Sequence, residues 1–121
     1  MTHRINWLAR PDAHNYSAAR SYLSLIYDSP TTVRLVRKLR AAPMSSFMSR
    51  DIFRASGLSF RGVSNSRLKS DQKRIRGGKK LAPLLLVRDT ANGKVVIADG
   101  YHRLCAVFTY DEDADIPCKI V

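Results

Sequence analysis

Apolar residues recur at helical spacing through the first half of the chain. Tyr16, Ala19, Leu23, Ile26 and Tyr27 fall on one side of a helix, and Asp12 or Asn15 is placed to cap its start. Asp28-Ser29-Pro30 stops that helix and opens a second, with Ser29 as N-cap and Pro30 in the first turn. Val33, Val36 and Leu39 give the second helix its apolar stripe, and Pro43 ends it. A third, short helix uses Met48, Ile52 and Ala55. It stops at Gly57, which tolerates the left-handed backbone common at helix C-termini.

From Leu58 the pattern becomes mixed. A helix over residues 66–76, capped by Asn65 or Ser66 and ended by Gly77-Gly78, has only Leu68 and Ile75 as apolar positions. It therefore lies at the periphery with one face in solvent. Leu84-Leu85-Leu86-Val87 is a continuous apolar run, the mark of a buried strand. Asn92-Gly93 favours a tight hairpin back into Val95-Val96-Ile97-Ala98. Asp99-Gly100 then turns sharply into a helix from Tyr101 to about Tyr110, with Leu104, Val107 and Phe108 as its apolar positions. The acidic loop 111–115 leads to a last strand, Ile116 to Val121. No repeat or low-complexity segment interrupts this order.

Composition narrows the class. At 121 residues, 45% apolar and 26% charged, the chain suits one folded domain with its own core and not a disordered segment. No apolar run approaches the roughly 20 residues of a membrane span, and the first residues lack a signal-peptide core. Two cysteines are too few for a disulfide framework or a structural zinc site. The expectation is a cytoplasmic protein with no membrane partner.

Charge changes the picture more. A net +11 should attract polyanions. Residues 1–62 carry ten basic and three acidic side chains, residues 63–88 eight against one, and residues 89–121 three against six. The segment from Arg67 to Lys80 is thus the electrostatic focus.

The most promising local chemistry lies at Asp99-Gly100-Tyr101-His102-Arg103. Glycine lets a ligand approach the backbone, and the unpaired amides of a helix's first turn suit a phosphate. His102 and Arg103 add donors there, and arginine can grip phosphate with two hydrogen bonds. Asp99 could cap the helix or meet a Mg²⁺-nucleotide. Elsewhere, His3 and His14 have no ligand-spaced companions and read as surface histidines. Cys105 and Cys118 fall in apolar stretches and read as buried thiols. The loop 111–115 lacks the spacing of a Ca²⁺ loop, and no zinc cluster or P-loop is present, so no protein-held metal is expected.

These residues resemble the ParB/sulfiredoxin superfamily. The likeness rests on Pro83-Leu84-Leu85-Leu86-Val87, on Ile97-Ala98-Asp99-Gly100-Tyr101-His102-Arg103-Leu104-Cys105-Ala106, and on Ile116-Pro117-Cys118-Lys119-Ile120-Val121, and covers residues 58–121. It implies that His102 and Arg103 are the phosphate-gripping pair. Aligning the preceding helix on Ile75 implies nucleotide contacts at Arg67 and Ser70, with Arg74 where a small hydroxyl residue is usual. Tyr101 stands where sulfiredoxins carry the catalytic cysteine. A tyrosine cannot form a thiosulfinate, and Cys105 lies a helical turn further on, so sulfinic-acid reduction is not expected. The CTP box of ParB is richer in acidic and arginine residues than Tyr101-His102, and no helix-turn-helix follows it in these residues. Chromosome-partition clamping is not expected either.

The fold class expected is α+β: a basic helical region over 1–57 packed on a small mixed sheet of ParB/sulfiredoxin type over 58–121, together one compact domain. The function expected is binding of a nucleotide, ATP or CTP with Mg²⁺, by Gly100, Tyr101, His102, Arg103, Arg67, Ser70 and Arg74, with Asp99 as the candidate catalytic group. That expectation covers an ATPase, a phosphotransferase and a binder without turnover. The alternatives are an inactive partner-binding module and a DNA-binding accessory protein. In the latter, Arg34, Arg37, Lys38, Arg40, Lys73, Arg76, Lys79 and Lys80 would meet backbone phosphates.

Overall fold

The computed structural model describes residues 4–59 and 65–121. Short β1 (Asn6–Trp7) precedes helices α1 (Ala13–Leu23) and α2 (Ser29–Ala41). Strand β2 (Ser45–Met48) runs directly into α3 (Ser49–Ser56). Helix α4 (Asn65–Arg76) follows, then β3 (Lys80–Leu81), β4 (Leu84–Asp89), β5 (Lys94–Asp99), α5 (Tyr101–Tyr110) and β6 (Asp115–Ile120). The fold class is α+β. Four strands form a mixed sheet in the order β2-β6-β4-β5, and β1 and β3 form a separate parallel pair. In the large sheet β4 is antiparallel to β5 and parallel to β6, while β2 is antiparallel to β6.

Helices cover both faces of this sheet, which explains the unbroken apolar run of β4. Leu84 and Leu86 point into a core shared with Ile52 of α3, Ile75 of α4 and Leu104 and Val107 of α5. Leu85 and Val87 point the other way, against Tyr16, Ala19 and Leu23 of α1 and Val36 and Leu39 of α2. A strand buried on both faces has no solvent side to alternate with. At about 25 cal/mol per Å² of apolar surface, burying each leucine stabilises the fold by about 2 kcal/mol.

Several local expectations shift. The N-cap of α2 is Asp28, whose side chain accepts from the Thr31 N–H at 2.8 Å, so Ser29 is the first helical residue. Helix α1 ends at Leu23, and Ile26 is exposed beyond it. On α2 the buried positions are Thr32, Val36 and Leu39, with Val33 left at the surface. The β4–β5 connection is a four-residue loop, Thr90 to Gly93, rather than a two-residue hairpin. Only Gly93 takes positive φ there, whereas the tight turn needs it at Asn92 too. Residues 1–57 are not purely helical, since β2 lies at the edge of the main sheet and β1 pairs with β3. Among the described residues no helix is long and apolar enough to cross a membrane.

Candidate functional site

Strand β5 delivers the site. Its register with β4 skips Ala98, pairing Leu85 with Asp99 and Leu86 with Ile97, and this bulge lies just before the turn into α5. Gly100 caps α5 with φ 112° and offers no side chain to the first-turn amides. Helix α4 packs beside α5, tied by Gln72 Nε2 donating to Thr109 Oγ1 at 3.1 Å. Along α4, Arg67, Ser70 and Arg74 lie three and four residues apart and so share one face.

That face and the start of α5 border one cleft of about 740 Å³. It gathers Arg67, Ser70 and Arg74 with Asp99, Gly100, Tyr101, His102 and Arg103. Every residue read from the sequence as a phosphate contact therefore borders the same space. The far wall is Ala18 and Tyr22 of α1, with Leu58 beside them. Tyr22 and Leu58 are each 43% exposed, leaving apolar surface for a ligand to cover.

The acidic and basic groups of the box have different tasks. Arg103 is held by the carbonyls of Ala82 (Nε, 2.9 Å) and Pro83 (Nη2, 3.3 Å) and by the Asp99 carboxylate (Nη2, 2.8 Å). Asp99 also accepts from Asn15 Nδ2 at 3.0 Å. With the two ion-paired side chains only 13% and 16% exposed, this is an internal clamp joining α1, β5 and the start of β4 to α5. Asp99 Oδ2 is thus taken up in holding Arg103 and Asn15, while Asp99 itself borders the cleft. Arg103 gives the cleft little free charge, so the cationic side is α4.

His102 is the titratable donor. Burial first, then the Arg67 charge, hold it below the usual histidine value of 6.5, while Asp71 pulls in the opposite direction. Tyr101 donates its hydroxyl to the Ser59 carbonyl, and burial raises its pKa, so the phenol stays protonated. What Tyr101 can offer a ligand is its backbone N–H.

Both thiols are fully buried, as expected. Burial raises the pKa of Cys105 and pushes that of Cys118 up to about 11. Thiol reactivity follows the thiolate. Native protein should therefore show almost no reaction with a chromogenic disulfide reagent at pH 8, and two thiols once denatured. Rapid native reaction of either cysteine would contradict this burial.

Of the residues expected to meet DNA, Arg37 and Arg40 border a separate groove against α1. Arg34 and Lys38 are exposed on α2, Lys73 and Arg76 on α4, and Lys79 and Lys80 around β3. His14 is exposed and His3 lies outside the described residues. In the acidic loop Asp113 pairs with Arg50 at 3.0 Å. Among the described residues no three His, Cys, Asp or Glu side chains group as a metal site.

Asn15, read only as a helix cap, and Asp71 and Tyr22 were not among the site residues the sequence suggested. Asp71 could have been found, four residues after Arg67 on the same helix face. Asn15 and Tyr22 come to the site through tertiary packing over more than 70 positions, and nothing local marks them. Comparison with protein-family models, curated proteins and solved structures returns no match.

Proposed function

We propose that the cleft between α4, α5 and α1 binds the phosphate groups of a nucleotide, ATP or CTP, in a protein of ParB/sulfiredoxin type. The observation that carries this reading is the convergence of Arg67, Ser70 and Arg74 with the uncapped start of α5 on a single cleft. Two guanidinium groups, a hydroxyl and outward amides at the positive end of a helix are the donors a phosphate chain needs. The size, about 740 Å³, suits a nucleotide better than a lone phosphate ion. Tyr22 offers an aromatic face on which a base could stack.

The order of elements supports the family reading as well. A helix, a strand entered through Pro83, an antiparallel return, the box helix and a strand with Ile116-Pro117 follow one another as that resemblance implies. Asp99 Oδ2 already accepts from Arg103 and Asn15, and among the described residues no three His, Cys, Asp or Glu side chains gather around a resident Mg²⁺. Mg²⁺ enters as part of the nucleotide substrate. An ATPase or phosphotransferase is the reaction class such a site would serve.

Thermal shift and calorimetry with ATP, CTP and GTP, with and without Mg²⁺, test this. One nucleotide should bind, and Arg67→Ala/Arg74→Ala should weaken it by about 30-fold or more, as expected when two charge-assisted hydrogen-bonding groups are removed. Phosphate release from the bound nucleotide then separates a catalyst from a binder. A bound phosphate would raise the pKa of His102 from its depressed value, so binding takes up a proton. Affinity should rise as pH falls through the range below 6.5, and His102→Gln should flatten the part of that slope beyond the nucleotide's own titration. Unchanged nucleotide affinity in the double arginine variant would overturn the site.

A further inference from the structure

On the opposite flank of α1 lies a second concavity, a groove of about 330 Å³ between α1 and α2. Arg20 of α1 and Arg37 and Arg40 of α2 line it, with Tyr16 and Ser17 at their side. Tyr16 anchors the cations: the Arg40 guanidinium lies 4.5 Å from its ring centroid and Lys119 Nζ 5.7 Å. Lys119 comes from β6, is only 9% exposed, and donates to the Arg40 carbonyl at 2.8 Å. Four positive side chains are thus involved: Arg40 and Lys119 on the Tyr16 ring, and Arg20 and Arg37 beside Arg40 along the groove. No carboxylate lines the groove, and among the described residues none of these four is in an ion pair. The chain holds no acidic residue between Asp28 and Asp51. Like charges gathered in one groove repel, and an anion bound there would relieve that repulsion.

We propose that this groove binds the sugar–phosphate backbone of duplex nucleic acid without reading its bases. A small anion would satisfy one end only. Arg34 and Lys38, exposed on the same helix, add to the positive charge, and the cations of α2, from residue 34 to residue 40, span about 9 Å along its axis. A row of that length, with Arg20 across the groove, matches two or three successive backbone charges rather than one. Guanidinium groups suit phosphate oxygens. The one aromatic ring is 7% exposed beneath Arg40, so it has no free face for base stacking, and the interaction is indifferent to sequence.

The groove and the nucleotide cleft share no lining residue, so the two readings stand or fall separately. The test is fluorescence anisotropy with a labelled duplex of about 20 base pairs over a salt series, alongside ATP calorimetry. Arg20→Ala/Arg37→Ala spares Arg40, whose guanidinium packs on Tyr16. Each cation that no longer neutralises a phosphate lowers the slope of log affinity on log salt by about 0.9. The double variant should therefore lose nearly two units of slope and at least tenfold in low-salt affinity, equally for unrelated duplex sequences. Its melting temperature and ATP affinity should stay as in the parent. Absence of duplex binding, an unchanged slope, or duplex binding abolished in Arg67→Ala/Arg74→Ala instead would each overturn the proposal.

Discussion

Gly100→Ala should destabilise the protein by about 3 kcal/mol in urea denaturation. Two costs add. The backbone at Gly100 has φ 112°, where a Cβ is strained whatever surrounds it. A Cβ there would also lie 2.7 Å from Leu84 Cγ and 2.9 Å from Arg103 Nη2. Neither neighbour can step aside: Leu84 is fully buried, and Arg103 is tied to two carbonyls and to Asp99. Gly93→Ala is the control, because φ there is 63° and no atom lies within 4 Å of the added Cβ. It should cost about 1 kcal/mol, the backbone term alone. If the two variants cost the same, Leu84 and Arg103 do not pack tightly against Gly100.

This gives the glycine of the box a different meaning from the one its sequence suggests. A glycine before a helix of the form Gly-Tyr-His-Arg reads as room for a ligand. In the fold the missing Cβ is filled from inside, by Leu84 and the arginine three residues on. What was legible in the sequence was the set of residues that meet. Arg67, Ser70 and Arg74 show their shared face through spacing, the resemblance alone implies that this face meets the box, and the box is compact enough for its members to be neighbours in any fold. Which of them face outward was not legible, because it depends on the Ala82 and Pro83 carbonyls and on Asn15.

The same division holds for the fold. Strand β4 and helix α5 are visible because their own side chains are apolar throughout or at helical spacing. Strand β2, Ser45–Met48, has no buried residue and presents no alternating apolar face. Its pairing with Ile116 and Cys118, about 70 positions away, makes it a strand, and periodicity cannot register so distant a partner. The two-residue strands β1 and β3 are too short for any period. Boundaries moved for local reasons as well. Asp28 outcompetes Ser29 as N-cap because its carboxylate accepts from the Thr31 N–H, and hydrogen bonds from the Thr31 side chain first and its N–H second lower the Asp28 pKa.

Asp99→Ala should cost the fold about as much as the glycine change, about 3 kcal/mol, because it removes one half of a largely buried pair. The Arg103 guanidinium would keep the Ala82 and Pro83 carbonyls and lose its counter-charge. The Asn15 amide, 2% exposed, would lose its acceptor, while its Oδ1 still takes the Asp12 N–H at 2.7 Å. An unpaired buried donor adds about 1–3 kcal/mol to such a loss when water cannot enter to replace the partner. Asp99→Asn should fall between parent and alanine, since one oxygen still accepts while the new NH₂ faces donors. Arg103→Met combined with Asp99→Ala should cost less than the two single changes added, by more than about 1 kcal/mol, as expected of directly coupled residues. The cycle separates the two roles open to this carboxylate. A positioning residue lowers stability in all three variants and weakens nucleotide binding only through the displaced start of α5. A group acting on a substrate or a metal would behave otherwise: Asp99→Asn would abolish turnover while melting at the parent temperature. That result would return Asp99 to the chemistry and leave Arg103 as its holder.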